Sequence, residues 1–380
     1  MAFVERYANF DLATGDDNGT SEANAWRTLS SMLSGCAAGD RVNIKRQSSA
    51  FGPITTNTTF GPGTAATATN PISFRGYATT IGDGGLWDAT ITSAGTVTIT
   101  YAAYATYEGL RFIGTGAVNI IAHNGTASSR FRRCTFDIVG DNTGGASGNI
   151  GISNIDKCLL ILGTGRLGLT GTNSAVANVL DSYIIRKKTT SANGHILNND
   201  AFGRASLIKG CTFVGNEVAE NGIFLDRANS MHGSSIIGNR FFGFTNAIEI
   251  DEEPTGDTRI LNISSNVFST MTGRAIKRTN TYSGQLMIHD NLFHSCTSGF
   301  TDYSNFASDD SNVSLSANPF TNVATGDLSF NDTAGGGAVC RSRGFRMQDA
   351  YDWPDMEYLA TPSGGGGGGF YVSQSARMLR

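Results

Sequence analysis

The chain has 380 residues, of which 48 are glycine, 7 are proline and 16% are charged, and its formal net charge is −4. This charge argues against a nucleic-acid partner, which usually leaves a basic footprint. No apolar run approaches the ~20 residues of a membrane span. Because 39% of the residues are apolar and recur with a period, the composition excludes disorder and favours short strands joined by tight turns.

The N-terminal segment indicates where the protein is made and how the fold begins. The first six residues lack the cationic and apolar regions of a secretory signal, so we expect a protein retained in the cytoplasm or released by lysis. Residues 21–36 carry an apolar stripe that includes Trp26 and Leu29 at helical spacing. We predict one helix there, capped by Thr20 or Ser21, that covers the open end of a β array.

Short alternating segments follow the predicted helix. Residues 41–45, 72–76 and 96–101 alternate apolar and polar side chains, as half-buried strands do. Residues 51–70 are rich in Gly, Pro, Thr and Ala, and we expect a long excursion with little core there.

The dominant feature is a repeated motif in which a polar residue or Cys precedes a large apolar residue by two positions. It occurs eight times between residues 133 and 321, at intervals of 24 to 29 residues, and Phe112 extends it by one interval towards the N-terminus. The apolar column is Phe136, Leu160, Ile184, Phe213, Phe241, Phe268, Phe293 and Phe320, and the preceding column is Cys134, Cys158, Ser182, Cys211, Asn239, Asn266, Asn291 and Asn318.

This period predicts a stacked-repeat fold. Each unit contains two or three alternating stretches and no helical pattern, which is typical of a right-handed parallel β-helix with coils about 4.8 Å apart. A second column in register supports it: Ile223, Ile248, Ile276 and Phe300. We therefore interpret the Cys and Asn column as an internal structural ladder and not as a ligand set.

The residues that usually hold metals do not form a metal pattern. The six cysteines show no CxxC pair, and three of them belong to the ladder, where buried thiols act as small apolar groups. The five histidines lack any metal-binding spacing. We expect neither a metal nor a cofactor.

Two segments resemble a known family. A turn, an amphipathic helix and the sequence Gly39-Asp40-Arg41-Val42 open the array, and a Pro-Phe…Gly-Asp-Leu segment at 319–328 follows it. The chain thus resembles the pectate-lyase-like right-handed β-helix repeat proteins. The resemblance implies a scaffold that occurs in polysaccharide lyases and hydrolases, and also in phage tailspikes and other virion proteins, which are usually trimers.

The sequence divides into three parts. Residues 1–45 form the turn, capping helix and first strand, residues 46–345 the β-helix, and residues 346–380 a C-terminal extension with a glycine linker. The extension is either a disordered end or an arm that docks on a neighbouring subunit. Its candidate partner-binding residues are Phe370, Tyr371, Val372, Met378 and Leu379.

An acidic cluster is the best candidate for catalysis. Asp226, Glu249, Asp251 and Glu252 would supply the two carboxylates of a glycoside hydrolase, since Asp226 lies one predicted coil below Asp251. Glu249 beside Lys277 is equally consistent with an exposed ion pair between strands. We favour the structural interpretation and assign no catalytic residue.

Two functions remain open. The first is a phage virion structural protein without catalysis: a trimeric capsid decoration, cement or tail-associated protein. It would bind other virion proteins such as the major capsid or tail proteins, with host surface polysaccharide as a further partner, and would bind neither nucleic acid nor membrane. The alternative is a polysaccharide-cleaving tailspike depolymerase or a free glycanase or lyase. The chain shows no particle-binding head or trimerisation domain of a tailspike, which favours decoration.

Overall fold

The computed structural model describes residues 3–62, 65–92, 97–114, 118–122, 129–138, 150–151, 154–163, 167–168, 178–186, 195–199, 207–215, 221–226, 234–251, 260–279, 285–300, 306–308, 311–323 and 327–345. Two short helices occur among them, α1 (Leu29–Gly35) and α2 (Gly337–Ser342). Neither has the length and apolar character that crossing a membrane requires.

The described strands stack into a parallel β-solenoid, which confirms the predicted fold class. Successive coils each give one strand to three faces, and all pairings between coils are parallel. Face 1 is a twelve-stranded sheet, whereas faces 2 and 3 form one nineteen-stranded sheet because two long strands run through the bend between them.

Face 1 consists of β1 (Val4–Ala8), β2 (Asp40–Lys45), β5 (Ile72–Tyr77), β8 (Ala105–Glu108), β11 (Arg130–Arg132), β14 (Asn154–Asp156), β17 (Asn178–Leu180), β20 (Leu207–Lys209), β23 (Ser234–Ile237), β26 (Ile260–Ser264), β28 (Gln285–His289) and β30 (Phe306–Ser308). Face 2 consists of β3 (Phe51–Ile54), β6 (Trp87–Ile91), β9 (Leu110–Gly114), β12 (Thr135–Ile138), β15 (Leu159–Leu162), β18 (Tyr183–Arg186), β21 (Thr212–Val214), β24 (Arg240–Phe244), β27 (Val267–Arg278), β29 (Leu292–Phe300) and β31 (Val313–Ser314). Face 3 consists of β4 (Thr58–Phe60), β7 (Val97–Tyr101), β10 (Val118–Ala122), β13 (Ile150–Gly151), β16 (Leu167–Gly168), β19 (His195–Asn199), β22 (Asn221–Asp226), β25 (Asn246–Asp251) and the second halves of β27 and β29.

The predicted apolar column is the core of face 2. Backbone register pairs its members coil by coil from Phe112 to Phe293. The rings of Phe213, Phe241 and Phe268 stack with centroids 4.9 and 5.1 Å apart, close to the spacing of neighbouring strands. The second predicted column, on face 3, is also in register from Ile223 to Phe300.

The turn between faces 1 and 2 has the same conformation in coil after coil. One residue in each turn has a positive φ between 44° and 69°, and its N–H donates to a carbonyl of the following coil or, at Asp290, to the hydroxyl of Ser311. This left-handed column precedes the Cys and Asn ladder by one position. Its members are Gly109, Arg133, Lys157, Asp181, Gly210, Gly238, Ser265 and Asp290.

The ladder itself is confirmed as an internal hydrogen-bond network. The N–H of Cys158 donates to the hydroxyl of Ser182 (3.1 Å), and that of Cys211 donates to Oδ1 of Asn239 (2.9 Å). Asn239 donates in the same way to Asn266 (2.9 Å). Each bond satisfies a buried N–H that the bend removes from the strand ladders.

The prediction that Asn318 continues this ladder is wrong. The N–H of Asn291 donates to Oδ1 of Asn312 (3.0 Å), only 21 residues later, and Phe293 pairs with Ser314. Asn318 instead accepts from the N–H of Phe320, outside the coil. The last coil is therefore shorter than the others. The Asn-Pro-Phe segment matches the repeated motif in sequence but has a different structure.

The predicted N-terminal helix is shorter than expected and begins later. Trp26 is extended, because its N–H donates to the carbonyl of Tyr7 (2.9 Å) and its carbonyl accepts from Asn9 (2.9 Å). The helix starts only after Thr28, whose hydroxyl accepts from the N–H of Ser31 (3.0 Å). The remaining turn still packs against the core, as a cap does.

The expected excursion over residues 51–70 is also wrong in part. It contains β3 and β4, which extend faces 2 and 3 towards the N-terminus, and Phe60 is fully buried there. The hydroxyl of Tyr107 donates to the Phe60 carbonyl at 2.6 Å.

The C-terminal segment packs on the outside of face 2. Strands β32 (Phe320–Asn322) and β33 (Asp327–Phe330) pair antiparallel. Arg240, on face 2, donates to the carbonyl of Leu328 (3.3 Å), and its guanidinium lies 4.6 Å from the ring centroid of Phe330. Face 2 therefore has an apolar cluster on each side, and its outer cluster includes Leu159, Ile161, Tyr183, Ile185 and Phe242.

We predict that Asn266→Ala lowers the free energy of unfolding by about 3 kcal/mol, measured by chemical denaturation. It leaves the buried N–H of Asn239 without its acceptor and removes a donor from the carbonyl of Ile236, and an orphaned buried group costs about 1–3 kcal/mol. The control is Ser235→Ala in β23, at an outward position, which should change stability by less than about 0.5 kcal/mol. Equal losses in the two variants would contradict an internal ladder.

Candidate functional site

The acidic cluster is centred on Glu249, whose carboxylate is held by three donors. Nδ2 of Asn221 lies 2.5 Å from Oε2, and Nζ of Lys277 and Oγ1 of Thr279 each lie 2.8 Å from Oε1. Asn246 supports the set by donating to Oδ1 of Asn221 (2.9 Å). These residues come from β22, β25 and β27 and their ends, so the cluster ties three coils of face 3 together.

The prediction of an exposed ion pair between Glu249 and Lys277 is therefore only half right. The two residues are in register and in contact, but Glu249 is only 8% exposed. Its lone pairs are occupied by neighbours, and an acid or base must present its carboxyl to the substrate. The geometry favours a cross-coil clamp.

The other carboxylates of the cluster are partly described. Asp226 and Asp251 are in register on consecutive coils, as expected, so their Cα atoms lie about one coil spacing, ~4.8 Å, apart. Glu252 lies outside the described residues. The tail residues Phe370, Tyr371, Val372, Met378 and Leu379 also lie outside them.

A buried Ser–His contact was not predicted. Oγ of Ser269 lies 3.0 Å from Nδ1 of His294, one coil further on. Burial lowers the pKa of the imidazole, so it is neutral at pH 7. The hydroxyl is fully buried, and we interpret the pair as structural. Only the spacing of 25 residues signalled that the two side chains would meet.

Burial governs the chemistry of the cysteine thiols. Burial raises the pKa of Cys211 to about 12, so the thiol stays protonated at neutral pH and is a poor nucleophile. Within the described ranges, no three His, Cys, Asp or Glu side chains are arranged to hold a metal ion.

The outer surface of face 1 changes character along the solenoid. Its N-terminal half carries charges of alternating sign, joined across coils. Arg75 and Arg132 flank Glu108 at 3.5 and 3.9 Å, and Arg130 and Arg132 flank Asp156 at 2.6 and 3.7 Å. Glu108 is thus paired with one cation from the coil on each side, and Asp156 with two cations of the preceding coil.

The C-terminal half of face 1 carries apolar side chains among polar ones on its outer surface instead. They lie on β17, β20, β23, β26 and β28, they are half-buried or exposed, and Ile260 is 45% exposed. We call Leu180, Leu207, Ile237, Ile260 and Met287 the apolar row. Sequence analysis missed it because outward apolar residues blur the alternation that defines a half-buried strand.

The two faces differ in what covers them. The outer cluster of face 2 is covered by the hairpin β32–β33 and by α2. In the described part of the chain, no second layer packs on the apolar row, since none of its residues belongs to a buried cluster. Backbone register places Lys209 beside Leu180 and Ile237, Ser235 beside Leu207, and Asn262 beside Met287, so the row is a zigzag of apolar side chains with polar ones between them. Exposed apolar residues grouped on one surface mark interaction surfaces.

The described coils thus define a parallel β-solenoid with one covered and one uncovered apolar surface. No protein-family model and no curated protein match the chain. It is similar to a solved structure described as the PL6 family alginate lyase AlyGC, with a TM-score of 0.42 and 14% identity. The match covers 85% of this chain and 41% of that one, so this chain spans less than half of the lyase. The lyase is also a parallel β-helix, and a likeness at this level carries no information about activity.

We predict that Glu249→Ala lowers the free energy of unfolding by about 2 kcal/mol, because Asn221, Lys277 and Thr279 lose their acceptor. The loss should fall below the 3–5 kcal/mol of a fully buried pair, since the Lys277 side chain is 37% exposed. Asp332→Ala is the control, because that carboxylate is 99% exposed beside Arg341 and should contribute less than about 1 kcal/mol. Denaturation curves that coincide for Glu249→Ala and the unmodified protein would rule out the clamp.

Proposed function

We propose that this protein is a non-catalytic structural solenoid that assembles with copies of itself through the apolar row. The supporting observation is the contrast between the two faces: the chain covers the outer apolar cluster of face 2 with its own C-terminal segment, whereas the apolar row has no described cover. Burying such side chains stabilises an interface by roughly 25 cal/mol per Å².

The distribution of charge along face 1 favours one arrangement of the copies. In an antiparallel pair, the charged half of one copy would lie on the apolar row of the other, and desolvating those ion pairs is costly. Copies related by a rotation axis parallel to the solenoid place apolar row beside apolar row. This arrangement is a closed ring, and we propose the homotrimer that the sequence resemblance implies.

The particle that would hold such a ring is a phage virion, with the protein as a capsid decoration, cement or tail-associated component. This location rests on the sequence resemblance. Quantitative mass spectrometry of purified particles tests it, and we expect a fixed, high copy number relative to the major capsid or tail protein. Finding the chain only in the lysate supernatant would reject it.

We predict that the protein has three times the mass of one chain in light scattering coupled to size exclusion, and that Ile237→Asp weakens assembly at least tenfold. A charge in the middle of the apolar row must be desolvated when the ring closes. Thr106→Asp is the matched control, because Thr106 also points outward on face 1, in the charged half, and should leave the trimer intact.

A monomeric unmodified protein at high concentration would overturn the assembly proposal. An intact trimer in Ile237→Asp would move the interface away from face 1.

Polysaccharide cleavage is the second candidate, and one observation favours it: the register of Asp226 with Asp251. Retaining glycosidases use two neighbouring carboxyl groups, and this register brings the two residues onto adjacent coils. If this candidate is right, the protein releases reducing ends or ultraviolet-absorbing unsaturated products from a glycan panel, and Asp251→Asn abolishes the release with an unchanged melting temperature. Absence of products from every glycan favours the structural role.

A further inference from the structure

A small cleft lies on the outer side of the turn between faces 1 and 2, near the N-terminal end of the solenoid. Its volume is about 240 Å³, below the ~300–1,000 Å³ of pockets that enclose drug-sized ligands. It is therefore large enough for one charged group or one small ring and too small for an extended chain. The cleft is lined by Arg75, Gly76, Gly82, Gly84, Gly85, Glu108, Gly109 and Arg133.

One wall of the cleft is a loop that is fixed in place by Asp83. Its carboxylate accepts the N–H groups of Thr79 (2.7 Å), Thr80 (3.0 Å) and Gly85 (2.8 Å). Burial alone would raise the pKa of Asp83, but these backbone donors hold it well below its usual range. The charge of Asp83 is thus directed into its own loop, and the wall is preformed.

The cations at the cleft differ in how they are paired. Arg75 is tied to Glu108 at 3.5 Å, so these two lining charges largely neutralise each other. Arg133 has no carboxylate partner among the described residues, and its closest polar contact is Nη2 to the carbonyl of Gly84, at 3.5 Å. The net charge that faces the cleft is therefore positive and comes from Arg133.

Arg133 also occupies a backbone position that disfavours it. Its φ is 51°, in the left-handed column where Gly109, Gly210 and Gly238 stand in other coils. A side chain there is strained relative to glycine. The fold needs the backbone conformation at this position and not the guanidinium. Lys157, at the next position of the column, is also a cation, but it lies outside the cleft.

We propose that this cleft is a binding site for a small oxyanion, a carboxylate or sulfate group, with Arg133 as the recognising cation. A guanidinium presents paired donors that match the planar edge of a carboxylate or two oxygens of sulfate. The glycine wall allows close approach of the ligand because no side chain projects from it. This site is independent of the assembly proposed above, which uses the opposite end of face 1.

The test is isothermal titration with sodium sulfate, sodium glucuronate and neutral glucose, in a buffer free of phosphate. We expect the unmodified protein to bind sulfate or glucuronate and not glucose. In Arg133→Gly the affinity should fall at least tenfold. The melting temperature of this variant should be equal or higher, because glycine adopts the left-handed conformation without strain. Lys157→Gly relieves the same strain in the next coil and should bind as the unmodified protein does.

Three results would overturn the proposal: no binding of either anion at millimolar concentration, equal affinity in Arg133→Gly, or glucose binding as strong as glucuronate binding. A difference between sulfate and glucuronate identifies which oxyanion source the site accepts. The Ile237→Asp variant should bind the anion unchanged, so a failure of assembly and a failure of this site give different results.

Discussion

The solenoid depends on one hydrogen bond that recurs between Cys134 and Asn291 in the turn from face 1 to face 2: a backbone N–H donates to the side chain of the equivalent residue one coil further on. Where Asn supplies the acceptor, the N–H to Oδ1 distances are 2.9–3.0 Å. Where Cys158 supplies it, the N–H of Cys134 lies 3.4 Å from a thiol sulfur, a weak acceptor. The N-terminal coils compensate with aromatic packing, since the ring of Tyr107 stacks between Phe74 and Phe131 with centroids 5.4 and 4.8 Å away.

Because this ladder lies inside the coil, its polar residues have no chemistry to offer the solvent. Glu249 is likewise not available to the solvent, because its three hydrogen-bond donors make its carboxylate a link between coils. What distinguishes the protein must lie on outward positions, and these fall into three kinds of surface. Face 2 is covered by the hairpin β32–β33, face 1 carries the ion-pair ladder and the apolar row, and the turn between them carries the left-handed column.

The sequence was sufficient for the solenoid because a period of 24 to 29 residues in two columns leaves few alternatives. It failed where a local pattern had two structural solutions. Asn318 and Phe320 match the repeated motif in sequence only. The last coil instead closes 21 residues after Asn291, through Asn312. Trp26 fits a helical stripe, yet its backbone pairs with Tyr7 and Asn9 in a strand-like bridge. The burial of Glu249 depends on donors from two other coils, which no single segment reveals.

The residues of the left-handed column differ in what surrounds them on the outside of the solenoid. Gly210 and Gly238 stand where the C-terminal segment approaches, in a cavity of about 220 Å³ that is walled by Phe330 and Phe345. Asp181 and Ser265 of the column line the same cavity, whereas Arg133 and the exposed Lys157 lie outside it. Glycine satisfies the backbone requirement at every position of the column with the least strain. Of the two long cations in this column, Arg133 lines the cleft and Lys157 does not, so only Arg133 is placed to recognise a ligand there.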